Sequence, residues 1–450
     1  MNDKTKNNGA IKYFGTDGVR GRVGEPPMTP DILVRLGFAA GRVLCAARQS
    51  PQVLISKDTR LSGYMVESAL EAGFAAAGVD VLLSGPLPTS GVSYLAQTLR
   101  LSAGVVISAS HNPHNDNGVK FFGADGQKIS GEMEAKIEAG MGAPTVFKGN
   151  PGRARRLDAA ADRYIEFCKR AFPPHKTLRG LRILADCANG AAYHVAPPVL
   201  HELGAEVVPF AANPDGMNIN VNCGVMNPLP AAKAARRCGA DAAVILDGDG
   251  DRIFMADEHG RIHDGDALLF LIARDMHRRG KTPAGVVGTQ MSNSSLERAV
   301  REMGAEFFRA AVGDRHILRA LAEREWRIGG EPSGHLVLRD LHCTGDGIIA
   351  ALQALAIMGE SGRPLSALLA DYRPLPQFHK SVQVANRARA LNNDAAKRLI
   401  AETESRLADG GRVVVRRSGT EKLIRVMVEA KDAGVARRAA EEIAAALAAA

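Results

Sequence analysis

Three times along the chain the residues follow one plan: an apolar run, a polar loop, a helix-period stretch, and a glycine-containing turn into a second apolar run. The copies are VLISKDTRLSGYMVESALEAGFAAAGVDVLLSG from Val53, LRILADCANGAAYHVAPPVLHELGAEVVPF from Leu181 and GVVGTQMSNSSLERAVREMGAEFFRAAVG from Gly285. Short β-rich runs on either side of a helix pattern predict strand–helix–strand crossovers, the building block of a parallel sheet between helices. A spacing of roughly one hundred residues is too long for a solenoid repeat and fits duplicated α/β domains. The copies continue differently, as VVISASHN, AAVILDGDGD and WRIGGEPSGH. Loops at the carboxyl ends of parallel strands form the ligand crevice, so these three are where a site is expected.

Past Pro374 the plan is abandoned. SVQVANRAR, RVVVRRSGTEKLIRVMVEA and a closing alanine-rich helix pattern predict a small α+β domain, with DYRPLPQF as the linker into it. A chain of 450 residues is too long for one ordinary core. The expected fold is three similar mixed-sheet α/β domains plus a smaller α+β C-terminal domain, divided as 1–160, 161–260, 261–375 and 376–450.

The formal charge is +8, yet there is no basic tail or Lys/Arg block, and aromatics make up 5% of the chain. Nucleic-acid binding asks for a clustered basic face with stacking residues, so the spread charge favours small phosphorylated substrates and no nucleic-acid partner. No apolar stretch approaches bilayer length, and MNDKTKNNGA lacks the apolar core of a signal peptide. A cytoplasmic protein without a membrane partner is therefore expected. The cysteines (Cys45, Cys168, Cys187, Cys223, Cys238, Cys343) form no CxxC pair, which speaks against a zinc site or a disulfide framework; they read as small buried residues.

In AVILDGDGDRIF, Asp247, Asp249 and Asp251 follow a buried-type strand at alternate positions. On an extended strand they would point to opposite faces. Gly248 and Gly250 let the backbone curl so that all three can meet one ion. Hard carboxylate oxygens suit Mg²⁺, one per chain. The competing readings are an acidic surface turn and an EF-hand, since Glu258 falls at loop position twelve. The EF-hand fails because Arg252 stands where that loop needs glycine, and a strand precedes it.

In GVVISASHNPHNDNGVKFF, Ser110 is open to three readings: a turn residue, half of a hydrolase pair, or a carrier of a group. No GxSxG surrounds it, and His111 as immediate neighbour is a poor conventional base. Asn112–Pro113 forces a turn that exposes the loop. Beside a separate three-aspartate cation loop, a serine is well placed to receive and return a phosphoryl group, with Lys120 and Arg20 adding positive charge on its path. A phosphatase could use the same groups. A non-catalytic sugar-phosphate sensor would have no reason to keep them together. A nucleotide kinase is disfavoured, because Gly280–Lys281–Thr282 has Asp275 where a Walker loop needs its first glycine.

FGTDGVRG, ISASHNP, DGDGDR, GEPSGH and RRSGTEKLIR occur in one chain, in one order. With these motifs the sequence resembles the α-D-phosphohexomutases over essentially its whole length. The resemblance implies four domains around a central cleft, with Ser110 as the phosphoserine. It implies that Asp247, Asp249 and Asp251 hold Mg²⁺ with the serine phosphate, while Arg20, His111 and Lys120 line the transfer site with Arg252 nearby. Glu331 and Ser333 would bind sugar hydroxyls, and His335 would stand at the reacting end. Arg416, Ser418, Gly419, Thr420 and Arg425 would hold the phosphate that is not reacting, through amides, hydroxyls and guanidinium forks. Lys422 stands where the family commonly has proline, which implies a loop that is less rigid or more cationic.

The activity implied is interconversion of glucosamine 6-phosphate and glucosamine 1-phosphate through glucosamine 1,6-bisphosphate, which also serves as primer. Glucose and mannose phosphates are the rival substrates. The partner implied is a small phosphosugar, and a homodimer is left open.

Overall fold

The structure, a computed structural model, describes residues 13–15, 17–46, 49–146, 149–407, 410–417 and 423–449. The first unit runs through β1 (Phe14–Gly15), β2 (Gly18–Arg22), α1 (Pro30–Leu44), β3 (Gln52–Lys57), α2 (Ser62–Ala76) and β4 (Asp80–Pro86). It continues with α3 (Thr89–Thr98), β5 (Ala103–Ile107), β6 (Asp116–Gly123), α4 (Gly131–Gly140) and β7 (Ala154–Arg156). Helix α5 (Ala160–Arg170) leads into β8 (Arg182–Asp186), α6 (Ala196–Glu202), β9 (Glu206–Phe210), α7 (Leu229–Cys238), β10 (Ala242–Leu246), β11 (Ile253–Asp257) and β12 (Ile262–His263).

The third unit holds α8 (Gly265–Arg278), β13 (Gly285–Thr289), α9 (Ser294–Glu302), β14 (Glu306–Ala310), α10 (Asp314–Glu323), β15 (Ile328–Gly330) and β16 (Leu336–Leu338). Helices α11 (Gly347–Ser361) and α12 (Leu365–Leu368) close it. The fourth comprises β17 (Gln377–Gln383), α13 (Arg387–Asn392), α14 (Asp394–Arg406), β18 (Arg412–Arg417), β19 (Leu423–Glu429) and α15 (Ala433–Ala448).

Each expected crossover is present: β3 pairs parallel with β4, β8 with β9, and β13 with β14. The repetition goes further than the crossover. A third strand joins the first in parallel (β5, β10, β15), and a fourth returns antiparallel to it (β6, β11, β16). The sheets therefore share one order, β6-β5-β3-β4, β11-β10-β8-β9 and β16-β15-β13-β14, with extra edge strands in the first two. Strands β5, β10 and β13 are buried at every position. That is why they read as continuous apolar runs rather than as alternation.

One apolar cluster spans the first three units, from Leu54 and Phe122 through Ile183 and Val199 to Leu268, Leu352 and Leu355. Its axis is α11, buried on nearly all sides. Asp346 caps it, accepting the amides of Ile348 and Ile349 at 3.0 Å each and the buried Tyr164 hydroxyl at 2.8 Å. Each fully buried leucine there contributes about 1.5–3 kcal/mol, so the three units share stability as well as contact. The fourth has its own cluster, in which α15 covers a three-stranded antiparallel sheet ordered β17-β19-β18.

All six cysteines are free; Cys238 and Cys343 are only half-buried, where burial was expected of all six. Among the described residues no helix is long and apolar enough to cross a membrane.

Candidate active site

The repeated strand order puts three loops at equivalent places, each joining the third strand of its unit to the antiparallel fourth. Ser110 lies between β5 and β6, the aspartates between β10 and β11, and Glu331 to His335 between β15 and β16. They converge. Ser110 Oγ donates to Asp247 Oδ2 at 2.6 Å and lies 3.4 Å from His111 Nδ1.

Ser110 is buried with φ of 52°, a left-handed conformation uncommon outside glycine. Contacts on the loop hold it there. Its amide donates to Ser108 Oγ at 2.8 Å. The fully buried Arg60, paired with Asp58, donates through Nη2 to the carbonyls of Ser110 (3.2 Å) and Asn112 (2.5 Å). Asn220, from the second unit, donates to the same two carbonyls at 3.0 and 3.1 Å. A Cβ on Gly248 would stand 2.5 Å from the Ser110 carbonyl oxygen, so only glycine lets the acidic loop come this near.

Asp247, Asp249 and Asp251 each offer an oxygen within 4.8 Å of the others. Burial first, then Asp249 and Asp251, push the Asp247 carboxyl well above the usual carboxylate range. For Asp249 and Asp251 burial acts the same way, but Lys120 overcomes it and holds both below that range. Lys120 Nζ, itself buried, lies 2.8 Å from Asp249, 3.3 Å from Asp17 and 3.7 Å from Asp251. Burial would lower the Lys120 pKa, but those carboxylates carry it upward.

Thr89 Oγ1 donates to Asp249 Oδ2 at 2.7 Å, the oxygen that Lys120 also holds. Oδ1 of Asp249 and Oδ1 of Asp251 are buried without a hydrogen-bond partner. Unsatisfied buried carboxylate oxygens cost several kcal/mol, and a divalent cation among them offsets that cost. The donor set, all hard oxygens, fits such an ion.

The third loop closes the other side. His335 and Arg252 form a backbone bridge, and the Ile253 amide donates to the Gly334 carbonyl at 3.0 Å. Gly334 has φ of +94°, and a Cβ there would meet the Ile253 carbonyl oxygen at 2.4 Å. His335 Nδ1 stands 3.7 Å from Asp251 Oδ2. Burial lowers the His335 pKa, but Asp251 more than restores it, leaving it raised. Burial, then Arg252 and Arg20, push the His111 pKa down to about 3, so that ring is neutral. Glu331 accepts the Gly313 amide at 2.9 Å and the Ser333 hydroxyl at 3.1 Å. Arg20 pairs with Asp17 and donates to the Ala109 carbonyl at 3.2 Å.

Arg416 and Arg425 lie apart from this cluster, opposite each other on β18 and β19. They line a cavity of about 310 Å³ with His379, Lys380, Ser381 and Met291. Ser418, Gly419, Thr420 and Lys422 lie outside the described residues.

Sequence reasoning did not single out Arg60, Asp17, Thr89 or Asn220. Arg60 and Thr89 lie three residues past the carboxyl ends of β3 and β4, so the carboxyl-end rule could have found them. Asn220 sits in NPDGMNIN, which has no periodicity to read.

A hydroxyl aimed into a tri-carboxylate pocket, ringed by Lys120, Arg20, Arg252 and His335, can pass a phosphoryl group once a cation balances the charge. Comparison with known proteins agrees in every unit. Family descriptions of phosphoglucomutase/phosphomannomutase α/β/α domains I, II and III match residues 11–145, 162–260 and 264–375. The corresponding C-terminal domain matches 380–446. A phosphoglucosamine mutase of Thiobacillus denitrificans is 54% identical, with 96% of each chain covered. One of Neisseria meningitidis is 52% identical, over 97% of this chain and 99% of the other.

Among solved structures, a phosphoglucomutase/phosphomannomutase family protein of Burkholderia thailandensis superposes with a TM-score of 0.81 at 25% identity, covering 97% of both chains. Aspergillus fumigatus N-acetylphosphoglucosamine mutase, in complex with GlcNAc-6P and magnesium, shares the fold with a TM-score of 0.64 at 22% identity, over 98% and 96% of the chains.

Proposed function

The chain belongs to the phosphoglucomutase/phosphomannomutase family, and from that premise we propose that it interconverts glucosamine 6-phosphate and glucosamine 1-phosphate. It is an isomerase that moves a phosphoryl group within one sugar. The observation that carries the chemistry is the 2.6 Å contact of Ser110 Oγ with Asp247 in a cluster whose neighbouring carboxylates have buried, unpartnered oxygens. The relatives at more than half identity carry the substrate.

In this reading Ser110 rests phosphorylated. The free sugar hydroxyl attacks phosphorus, the bond to Ser110 Oγ breaks, and a 1,6-bisphosphate forms. Reorientation brings the other phosphate to Ser110. The serine oxygen attacks it, and the sugar oxygen leaves with a proton. Each half-reaction thus moves one proton between a sugar hydroxyl and Ser110 Oγ. His111 Nδ1 lies 3.4 Å from that oxygen, within reach of the path this proton takes.

Lys120, Arg20 and Arg252 balance charge on the transferring group, since such transfer is mostly positioning and electrostatics. Asp247, Asp249 and Asp251 would hold Mg²⁺, which neutralises phosphate charge when bound. Glu331 and Ser333 hold sugar hydroxyls, with His335 at the reacting end. Arg416 and Arg425, together with Ser418, Gly419 and Thr420, hold the phosphate at rest. The working division into domains is 1–160, 161–260, 261–375 and 376–450.

Parallel assays with glucosamine, glucose and mannose 6-phosphates, Mg²⁺ and a bisphosphate primer test this. Glucosamine 6-phosphate is expected to give the highest kcat/KM, and a higher value for either neutral hexose overturns the substrate. Free phosphate released at the rate of turnover would make the enzyme a phosphatase instead.

A further inference from the structure

Alternate residues of a strand share a face, so Gln377, His379 and Ser381 project together from β17. The register carries them across the sheet as rows. His379 stands opposite Met427 and Met427 opposite Val414; Ser381 stands opposite Arg425 and Arg425 opposite Arg416. Neighbouring rows are two residues, about 7 Å, apart. The imidazole thus sits beside the arginine pair and lines the same cavity. Among the described residues, neither ring nitrogen of His379 has a hydrogen-bond partner. Arg416 Nε is buried without a partner as well.

We propose that His379 is a further ligand of the non-reacting phosphate, beside Arg416 and Arg425, and that it takes up a proton as the phosphate arrives. The proposal rests on the phosphosugar reading above.

Without ligand, partial burial first, then Arg416 and Arg425, hold the His379 pKa below its ordinary value. The ring is solvent-exposed, so water screens part of that effect. Among the described residues, the other groups around it do not supply a counter-charge. Lys380, next on β17, has the same sign as the guanidinium groups, and Met291 of the third unit is apolar. Glu429, on the far side of the Met427 row, is engaged by the Ser294 amide, Gln377 and Arg412.

A phosphate dianion reverses the field at the ring and favours imidazolium. Its N–H then donates a charge-assisted bond to a phosphate oxygen, the proton coming from solvent. A cation present only with its ligand adds affinity and disappears as the phosphate leaves, which suits a pocket that must release one end of a bisphosphate and accept the other.

The test is calorimetric titration of the full chain in a Ser110→Ala background, which prevents turnover, with glucosamine 6-phosphate in two buffers of different ionisation enthalpy. More protons are expected to be taken up per ligand bound with His379 than with His379→Gln, and affinity is expected to fall about tenfold in the variant. In otherwise wild-type enzyme, His379→Gln is expected to raise KM by a similar factor and leave kcat within about twofold. Equal proton uptake in both proteins overturns the proposal. If glucosamine 6-phosphate fails to bind, glucose and mannose 6-phosphates replace it. A His379-dependent uptake with either keeps the proposal while the glucosamine reading falls. Binding of none overturns both.

Discussion

Arg60 and Asn220, from different units, donate to the same two carbonyl oxygens, those of Ser110 and Asn112. The loop carrying the serine is thereby pinned from both sides of the boundary between the first two units. Asn220→Ala removes two of these bonds without touching a reacting atom. It is expected to cost about 1–3 kcal/mol of stability and to lower kcat about tenfold with little change in KM. Steady-state kinetics with a urea melt check both, and an unchanged kcat would show that Arg60 suffices.

Ser110→Ala is expected to abolish mutase activity and leave the fold intact. The side chain's hydrogen bond to Asp247 is local to the site, and a lost hydroxyl of this kind costs about 1 kcal/mol. Intact-mass measurement and peptide mapping of active wild-type enzyme should find the phosphate on Ser110. Turnover by the variant, or a phosphate mapped to another residue, contradicts the assignment.

Chelation is expected to stop turnover and added Mg²⁺ to restore it. Because the three carboxylates converge only in the folded chain, Mg²⁺ should also raise the melting temperature with concentration, as a ligand of the native state alone does. Activity indifferent to chelator would remove the ion from the mechanism.

Arg416→Ala is expected to act on binding rather than on chemistry. A charge-assisted bond is worth about 1.5–3 kcal/mol, so KM should rise about 10- to 100-fold while kcat changes less. Kinetics on glucosamine 6-phosphate read the split; a fall in kcat alone would place the residue at the reacting end.

Glu429 is fully buried, accepts from the Ser294 amide at the start of α9 and from Gln377 at 2.6 Å, and forms an ion pair with Arg412 Nε 3.4 Å away. Removing it strands Arg412 against the third unit. Glu429→Ala is expected to cost about 3 kcal/mol and to open the linker after Tyr372 to proteases, which limited proteolysis measures.

Much of this was legible before the structure, and the physical reason is local. Strands such as Ala242–Leu246 are buried at every position, so they read as unbroken apolar runs. The loops after them carry chemistry that spacing reveals. The mixed character of the sheets was expected, but strand β16 has three residues, too few for any period, so its own place as the antiparallel member could not be read from the sequence. The contacts of Asn220 and Asp17 were invisible for another. Asn220 reaches across 110 positions to Ser110, and Lys128 joins Asp17 to Asp314 of the third unit. Nothing within one window of sequence encodes such meetings.

The sheet face of the fourth unit has one further consequence. Its Gln377–Glu429–Arg412 row is anchored on residues 290–294, while the arginine pair lies two rows outward, about 14 Å away. The anchored row is a fulcrum and the cationic row the end of its lever. A tilt of about ten degrees swings that end through roughly 2 Å. Any rotation about that edge would therefore change the distance from the cationic row to Ser110.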